Sequence, residues 1–171
     1  MGMQSACDRE LRSVHRLHDF SQVTEAVKWA RKARLKNLSL DLIYGLPGQS
    51  MESWQKSVEE ALALKPEHLS CYGLKVEPGT PLDERVMRGE VLPDDDLQAD
   101  MYLWMVDRLQ RAGYPQYEIS NFSRPGFQSR HNLKYWDPSQ ELISTEWFGT
   151  SMSARHIPGL EKVPRVRLFA Y

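Results

Sequence analysis

The sequence predicts an α/β protein whose parallel strands are joined by crossover helices. Two short apolar segments, Leu38–Ile43 and Leu69–Leu74, have the length and alternation of β-strands. They begin about 30 residues apart, the length of one βαβ unit, and the segment between them has helical spacing. A crossover helix makes its two strands parallel, and parallel sheets are usually covered on both faces. A doubly wound sheet and a (β/α) barrel both remain open.

The first three elements follow from spacing and capping signals. Apolar residues recur at helical spacing over Ser21–Leu35, which predicts a helix with Ser21 as its N-cap. The alternating strand Leu38–Ile43 comes next and stops at the turn Gly45–Gly48. Ser50 is then predicted to cap a second helix.

The later elements are marked by charge and by glycine. After the strand Leu69–Leu74, the acidic run Asp94–Asp96 suits the positive end of a long amphipathic helix. Gly113 is predicted to end that helix, and Tyr114–Phe122 is predicted as a further strand. Beyond Trp136 prolines interrupt the pattern, and no element is predicted there.

Composition and charge argue against several classes of protein. The chain has 171 residues, 41% of them hydrophobic, with 22 basic and 23 acidic side chains and a net charge of −1. This balance gives no reason to expect nucleic acid or an anionic membrane as a partner. No apolar run reaches the roughly 20 residues of a membrane span. Cys7 and Cys71 are the only cysteines, which favours a reducing compartment, and we expect a cytoplasmic protein.

A few polar residues are candidates for chemistry. Asp41 is a carboxylate inside an apolar strand, so it either bonds to nearby backbone amides or contacts a ligand. His15, Arg16 and His18 lie together after the first strand, either in a solvated loop or near a ligand. The turn Gly45–Gly48 lacks the residues of a phosphate loop or a dinucleotide fingerprint. The sequence also lacks the common zinc and serine-hydrolase motifs.

Longer motifs resemble one known family. The segments Asp41–Gln49, Val76–Pro81 and Gln116–Phe122 resemble the radical S-adenosylmethionine proteins related to oxygen-independent coproporphyrinogen III oxidase. The segment His131–Trp136 is similar to the His-Asn-x-x-Tyr-Trp motif of the haem-chaperone branch of that family. The resemblance extends over Met1–Trp136.

The family resemblance implies a fold and a cofactor site. The fold would be the C-terminal half of a partial TIM-type (β/α) barrel, which holds S-adenosylmethionine and a [4Fe–4S] cluster at its C-terminal mouth. By resemblance, Gln4, Arg16 and Asp41 stand where the family contacts S-adenosylmethionine. The chemistry is suitable, since a carboxylate accepts hydrogen bonds from ribose hydroxyls or balances a sulfonium charge. A guanidinium pairs with the methionine carboxylate.

Resemblance to the haem-chaperone branch implies that haem is bound in addition to S-adenosylmethionine. His131 is the expected axial ligand of haem iron, with Tyr135 and Trp136 lining the macrocycle. The alternative is that His131 and Asn132 form a structural turn and that Trp136 belongs to the core.

Two departures from the family shape what we expect of this chain. The family's Cys-x-x-x-Cys-x-x-Cys motif is absent, and Cys7 and Cys71 fit no part of it, so no ligand of the cluster and no catalytic residue is assigned. The start of the chain falls in the middle of a family strand, which predicts a fragment. We expect a partial barrel over residues 1–92, a helix, a strand and the haem motif over 93–136, and an atypical tail over 137–171.

Three functions remain open at this stage. The resemblance favours a haem chaperone, truncated here, that binds haem and transfers it to acceptor proteins. The alternatives are an oxygen-independent coproporphyrinogen III oxidase, which decarboxylates a porphyrinogen by radical chemistry, and a non-functional remnant of either protein.

Overall fold

The computed structural model describes residues 1–134. Its elements in chain order are β1 (Gly2–Gln4), α1 (Asp8–Ser13), α2 (Phe20–Lys32), β2 (Ser39–Tyr44), α3 (Met51–Ala63), β3 (His68–Gly73), α4 (Pro81–Met87), α5 (Asp95–Arg111), β4 (Gln116–Glu118), β5 (Asn121–Ser123) and α6 (Arg130–Lys134). The five strands form one sheet in the order β1, β2, β3, β5, β4.

The predicted βαβ unit is present. Strands β2 and β3 are parallel, in a register that runs from Ser39 opposite His68 to Tyr44 opposite Gly73. Strand β1 lies parallel to β2 on its other side. The α/β class with parallel strands is therefore confirmed for the first three strands.

The predicted strand Tyr114–Phe122 is wrong in form. The structure has two short antiparallel strands, β4 and β5, and β5 also runs antiparallel to β3. A local hydrogen bond explains the turn between them, because the Glu118 Oε1 atom accepts from the Ser120 amide at 3.2 Å. Such a contact stabilises a bend that alternating hydrophobicity does not reveal. The sheet is therefore mixed.

Side-chain caps fix where the long helices begin. Ser50 caps α3 as predicted, and Asp94, the first residue of the predicted acidic run, caps α5. The predicted cap of α2 is wrong, because Asp19 occupies that position and Ser21 lies in the first turn. The Asp19 carboxylate accepts from the Gln22 amide at 2.9 Å, and the Gln22 side chain accepts from the Asp19 amide at 3.0 Å. A carboxylate two residues earlier thus provides a complete capping box.

The helices cover one face of the sheet. In β2, Leu40 and Leu42 are buried in the core, whereas Ser39 and Asp41 alternate with them and lie on the opposite face. The other buried apolar residues of the same core are Met3, Ala6, Val23, Val27, Leu38, Trp54, Val58, Ala61, Leu69, Cys71, Met101, Met105, Leu109, Tyr114 and Phe122. They come from the sheet and from α2, α3 and α5. The long helices α2, α3 and α5 therefore contribute their buried apolar residues to one face of the sheet.

The short helices α1, α4 and α6 were not predicted from the sequence. Helix α1 has six residues, and α4 begins with Pro81 after the Thr80 cap. The predictions for Tyr135, Trp136 and the tail 137–171 lie outside the described residues. Within the first 134 residues, no helix is long and apolar enough to cross a membrane.

Candidate functional site on the polar face of the sheet

The face of the sheet opposite to the helices carries polar side chains, and we call it the polar face. Its members are Gln4, Ser39, Asp41, His68, Ser70, Asn121 and Ser123. Strand register explains the grouping, since Asp41 is opposite Ser70, Ser70 is opposite Asn121, and His68 is opposite Ser123. The Ser70 hydroxyl donates to the Asn121 side-chain oxygen at 2.7 Å. Several of these groups are buried, so the polar face is structured rather than merely solvated.

Gln4 and Asp41 lie on this face close to each other. Gly2 is the register partner of Asp41, and the Gln4 Nε2 atom is 2.6 Å from the position that a Cβ on Gly2 would occupy. Gln4 has a φ of 64°, a left-handed conformation that is costly for a residue with a Cβ atom. The Asp41 side chain is 36% exposed, and its carboxylate is 3.6 Å from the Met1 amino group. The pair offers an amide and a carboxylate to a polar ligand.

Arg16 lies on the loop that follows α1. Its side chain is exposed, and its amide donates to the Leu11 carbonyl oxygen at 2.9 Å. The same loop returns toward β1, since the His18 Nε2 atom is 3.4 Å from the Met3 carbonyl oxygen. The structure therefore brings Gln4 and Asp41 onto one face and leaves Arg16 on a neighbouring loop.

A cleft of about 670 Å³ opens between the polar face and the segment 126–132. His68 lines it and is 5% exposed, with Nδ1 2.8 Å from the Ser39 hydroxyl and Nε2 2.6 Å from the Tyr117 hydroxyl. Burial lowers the pKa of His68, and the Asp41 carboxylate opposes that shift. No role was predicted for His68 from the sequence, although a histidine alternating with Ser70 is a signal of a polar face.

His131 lies on α6, at the edge of this cleft. Its side chain is exposed, and its neighbours Arg130 and Asn132 both line the cleft. Tyr135 and Trp136, the expected lining of the haem, are outside the described residues.

The two cysteines do not fit an iron–sulfur cluster. Cys71 is buried among the apolar core residues, and burial raises the pKa of its thiol. Cys7 precedes α1 and is half-buried. Clusters of this kind need several thiolates together, and residues 1–134 contain no group of three or more His, Cys, Asp or Glu side chains that could hold a metal.

The turn after β2 is held by a buried polar network. Gln49 is 4% exposed, and its Oε1 atom accepts from the Gly45 and Leu46 amides at 2.7 and 3.3 Å. Its Nε2 atom donates to Glu10 Oε2 at 3.0 Å. The same Glu10 oxygen accepts from the Ser5 hydroxyl at 2.6 Å. The network joins the ends of β1 and β2, where a parallel sheet places ligands. Nothing in the spacing of these residues revealed it.

Comparison with known proteins supports the motif resemblance. The chain is 40% identical over 155 residues to the heme chaperone HemW of Lactococcus lactis, which is 90% of this chain and 39% of that protein. It is also 40% identical over 163 residues to HemW of Mycobacterium tuberculosis, covering 95% of this chain and 40% of the relative. The chain is HemW-like. It spans about two fifths of the length of these curated relatives.

A solved structure extends the similarity to the fold. The HemW-like chain matches Escherichia coli HemN, described as a coproporphyrinogen III oxidase and radical SAM enzyme, with a TM-score of 0.64 and 26% identity. The match covers 75% of this chain and 30% of that one. No protein-family model matches the chain. The resemblance predicted from the motifs is therefore confirmed, together with a mixed α/β fold similar to that of HemN.

Proposed function

We propose that the chain is the part of a haem chaperone that binds haem for transfer to acceptor proteins. The observation that carries this proposal is the His131-Asn132 motif on α6, beside a polar cleft, in a chain 40% identical to HemW. The His131 side chain is exposed at the edge of this cleft. A neutral imidazole binds haem iron through one ring nitrogen. Arg130 adds a guanidinium that pairs well with a porphyrin carboxylate.

The finer fold and cofactor assignments belong to the same proposal. Residues 1–92 would form part of a (β/α) barrel, residues 93–136 would close it and carry the haem motif, and 137–171 would be an atypical tail. In the barrel, Gln4, Arg16 and Asp41 would hold S-adenosylmethionine through amide, guanidinium and carboxylate groups. The exposed Asp41 carboxylate beside the Gln4 amide supports this assignment. The thiolates of a [4Fe–4S] cluster would have to come from outside this chain. We place the protein in the cytoplasm, because its small number of cysteines favours a reducing compartment.

A coproporphyrinogen III oxidase is the second candidate, favoured by the structural match to HemN. It would use the same polar face, but with the porphyrinogen as a substrate and not as cargo. Porphyrinogen turnover without stable haem binding would support the oxidase. If the full-length protein neither binds haem nor turns over the porphyrinogen, the chain is a non-functional remnant.

The test is a haem titration of the 171-residue chain followed by its Soret band. We expect His131→Ala to weaken haem binding by about tenfold or more, because the axial ligand is lost. His15→Asn is the matched control. It removes another exposed imidazole, and asparagine tolerates the left-handed φ of 57° at that position. Equal affinity in the wild type and His131→Ala would contradict the proposal.

A further inference from the structure

The Tyr117 hydroxyl connects the polar face to the helix that carries His131. Its oxygen lies 2.6 Å from His68 Nε2, accepts from the Ser129 amide at 3.2 Å, and accepts from Asn132 Nδ2 at 3.4 Å. The two rings of His68 and Tyr117 also pack edge to face, with centroids 5.7 Å apart. One hydroxyl thus joins β3 and β4 to both sides of His131.

The protons in this arrangement can be assigned from valence. A tyrosine hydroxyl has one proton and two lone pairs. Because Ser129 and Asn132 donate to the oxygen, the hydroxyl proton is donated to His68 Nε2. The proton of neutral His68 is then on Nδ1, which donates to the Ser39 hydroxyl at 2.8 Å. Burial, which lowers the pKa of His68, favours this neutral form.

Helix α6 depends on such contacts for its position. It has five residues, and none of them is buried. A helix this short is not stable by itself, since nucleation costs more than one turn of hydrogen bonds returns. The Tyr117 hydroxyl and the Ser129 hydroxyl, which accepts from the Asn132 amide at 3.3 Å, are therefore expected to set its placement.

We propose that Tyr117, oriented by His68, is a positioning residue that holds α6 so that His131 is presented for haem binding. The proposal rests on the proposed haem-binding function. Tyr117 does not touch the iron; it acts through Ser129 and Asn132, which flank His131 in sequence. The same hydroxyl makes the asparagine of the His-Asn motif part of the anchor, which gives that residue a role separate from ligation.

The experiment compares Tyr117→Phe with Tyr114→Phe in the 171-residue chain. Tyr114 is the matched control because its buried hydroxyl donates to the Pro66 carbonyl oxygen at 2.6 Å and accepts from Arg124 Nε at 3.1 Å, away from α6. Amide hydrogen exchange over residues 129–133 is measured without haem, and haem affinity is measured by Soret titration. We expect Tyr117→Phe alone to accelerate the exchange and to weaken haem binding about tenfold. In the His131→Ala background, Tyr117→Phe should have no further effect on affinity.

The two readouts separate this inference from the proposed function. Unchanged exchange over 129–133 in Tyr117→Phe overturns the inference, whatever the haem affinity. Haem binding that requires His131 but is equal in the wild type and Tyr117→Phe also overturns it, and leaves the proposed function intact. Haem binding that does not depend on His131 overturns the proposed function, and with it the role of Tyr117 in that function.

Discussion

Replacing Gln49 with leucine should destabilise the chain strongly, although the two side chains are similar in size. The substitution removes the acceptor of the Gly45 and Leu46 amides and one of the donors to the Glu10 carboxylate. Leucine offers no hydrogen bond, and Gln49 is too buried for water to replace it easily. If the loop between β2 and α3 kept its shape, the Gly45 and Leu46 amides would therefore be left without the acceptor that Gln49 provides.

The size of the effect follows from those groups. Each buried donor or acceptor left without a partner costs about 1–3 kcal/mol. The buried Gly45 and Leu46 amides lose the Gln49 acceptor, at 2.7 and 3.3 Å, whereas Glu10 Oε2 keeps the Ser5 hydroxyl as a donor. Two such losses give about 2–6 kcal/mol, a large part of the roughly 5–15 kcal/mol that stabilises a typical domain. For a chain of this length the melting temperature should fall by roughly 5–25 °C.

Thermal and urea unfolding of a small set of variants would test this reasoning. Gln98→Leu is the control, because Gln98 is half-buried and donates to the Pro93 carbonyl oxygen at the start of α5. It should cost about 1 kcal/mol or less. Gln49→Glu keeps the acceptor but places a second carboxylate against Glu10, so its destabilisation should be relieved at acidic pH. Wild-type stability of Gln49→Glu at pH 7.5 would refute the Glu10–Gln49 contact.

Three further results are expected. Anaerobic reconstitution with iron and sulfide should leave less than one cluster per chain, because Cys7 and Cys71 cannot supply three thiolates; stable stoichiometric iron would contradict this. Burial lowers the pKa of His68, and the positive amino terminus lowers it further, whereas the Asp41 carboxylate raises it. Arg130 is a second positive group, which lines the same cleft. The unfolded chain then binds more protons, so stability should fall as pH drops below about 6.5, and less steeply in His68→Gln. Trp54→Ala should cost about 3–5 kcal/mol in urea unfolding, since the indole is fully buried and donates to the Met101 carbonyl oxygen; a cost below about 1 kcal/mol would contradict its place in the core.

Local signals in the sequence predicted much of the fold correctly. The strands β2 and β3 and the helices α3 and α5 were found because periodicity and caps are properties of neighbouring residues. The cap of α2 was misplaced because Ser21 and Asp19 are both good caps, and only the structure shows which carboxylate or hydroxyl meets the Gln22 amide. The hairpin at Glu118 was missed because one side-chain contact turns the chain inside an otherwise strand-like run.

Less of the candidate site than of the fold could be predicted from the sequence. Asp41 was singled out as a carboxylate in an apolar strand and Gln4 by the family resemblance, and the approach of the Gln4 amide to Gly2, the register partner of Asp41, was needed to bring them together. His68 was overlooked because its importance arises from Tyr117, 49 residues away in the chain. Contacts of this range depend on the whole topology, and a single sequence does not encode them in any local pattern.

Core residues alternate with residues of the polar face along β2 and β3, so the two sets of side chains are constrained in different ways. Leu40, Leu42 and Leu69 point into the core, and changes there are penalised whatever the protein binds. Ser39 and Asp41 occupy the intervening positions of β2 and are partly exposed, so a change of side chain there alters the polar face and leaves the apolar packing intact. The same strand can therefore keep its core residues while its polar residues vary. A library randomised at Ser39 and Asp41 alone should retain folded members that differ in what they bind.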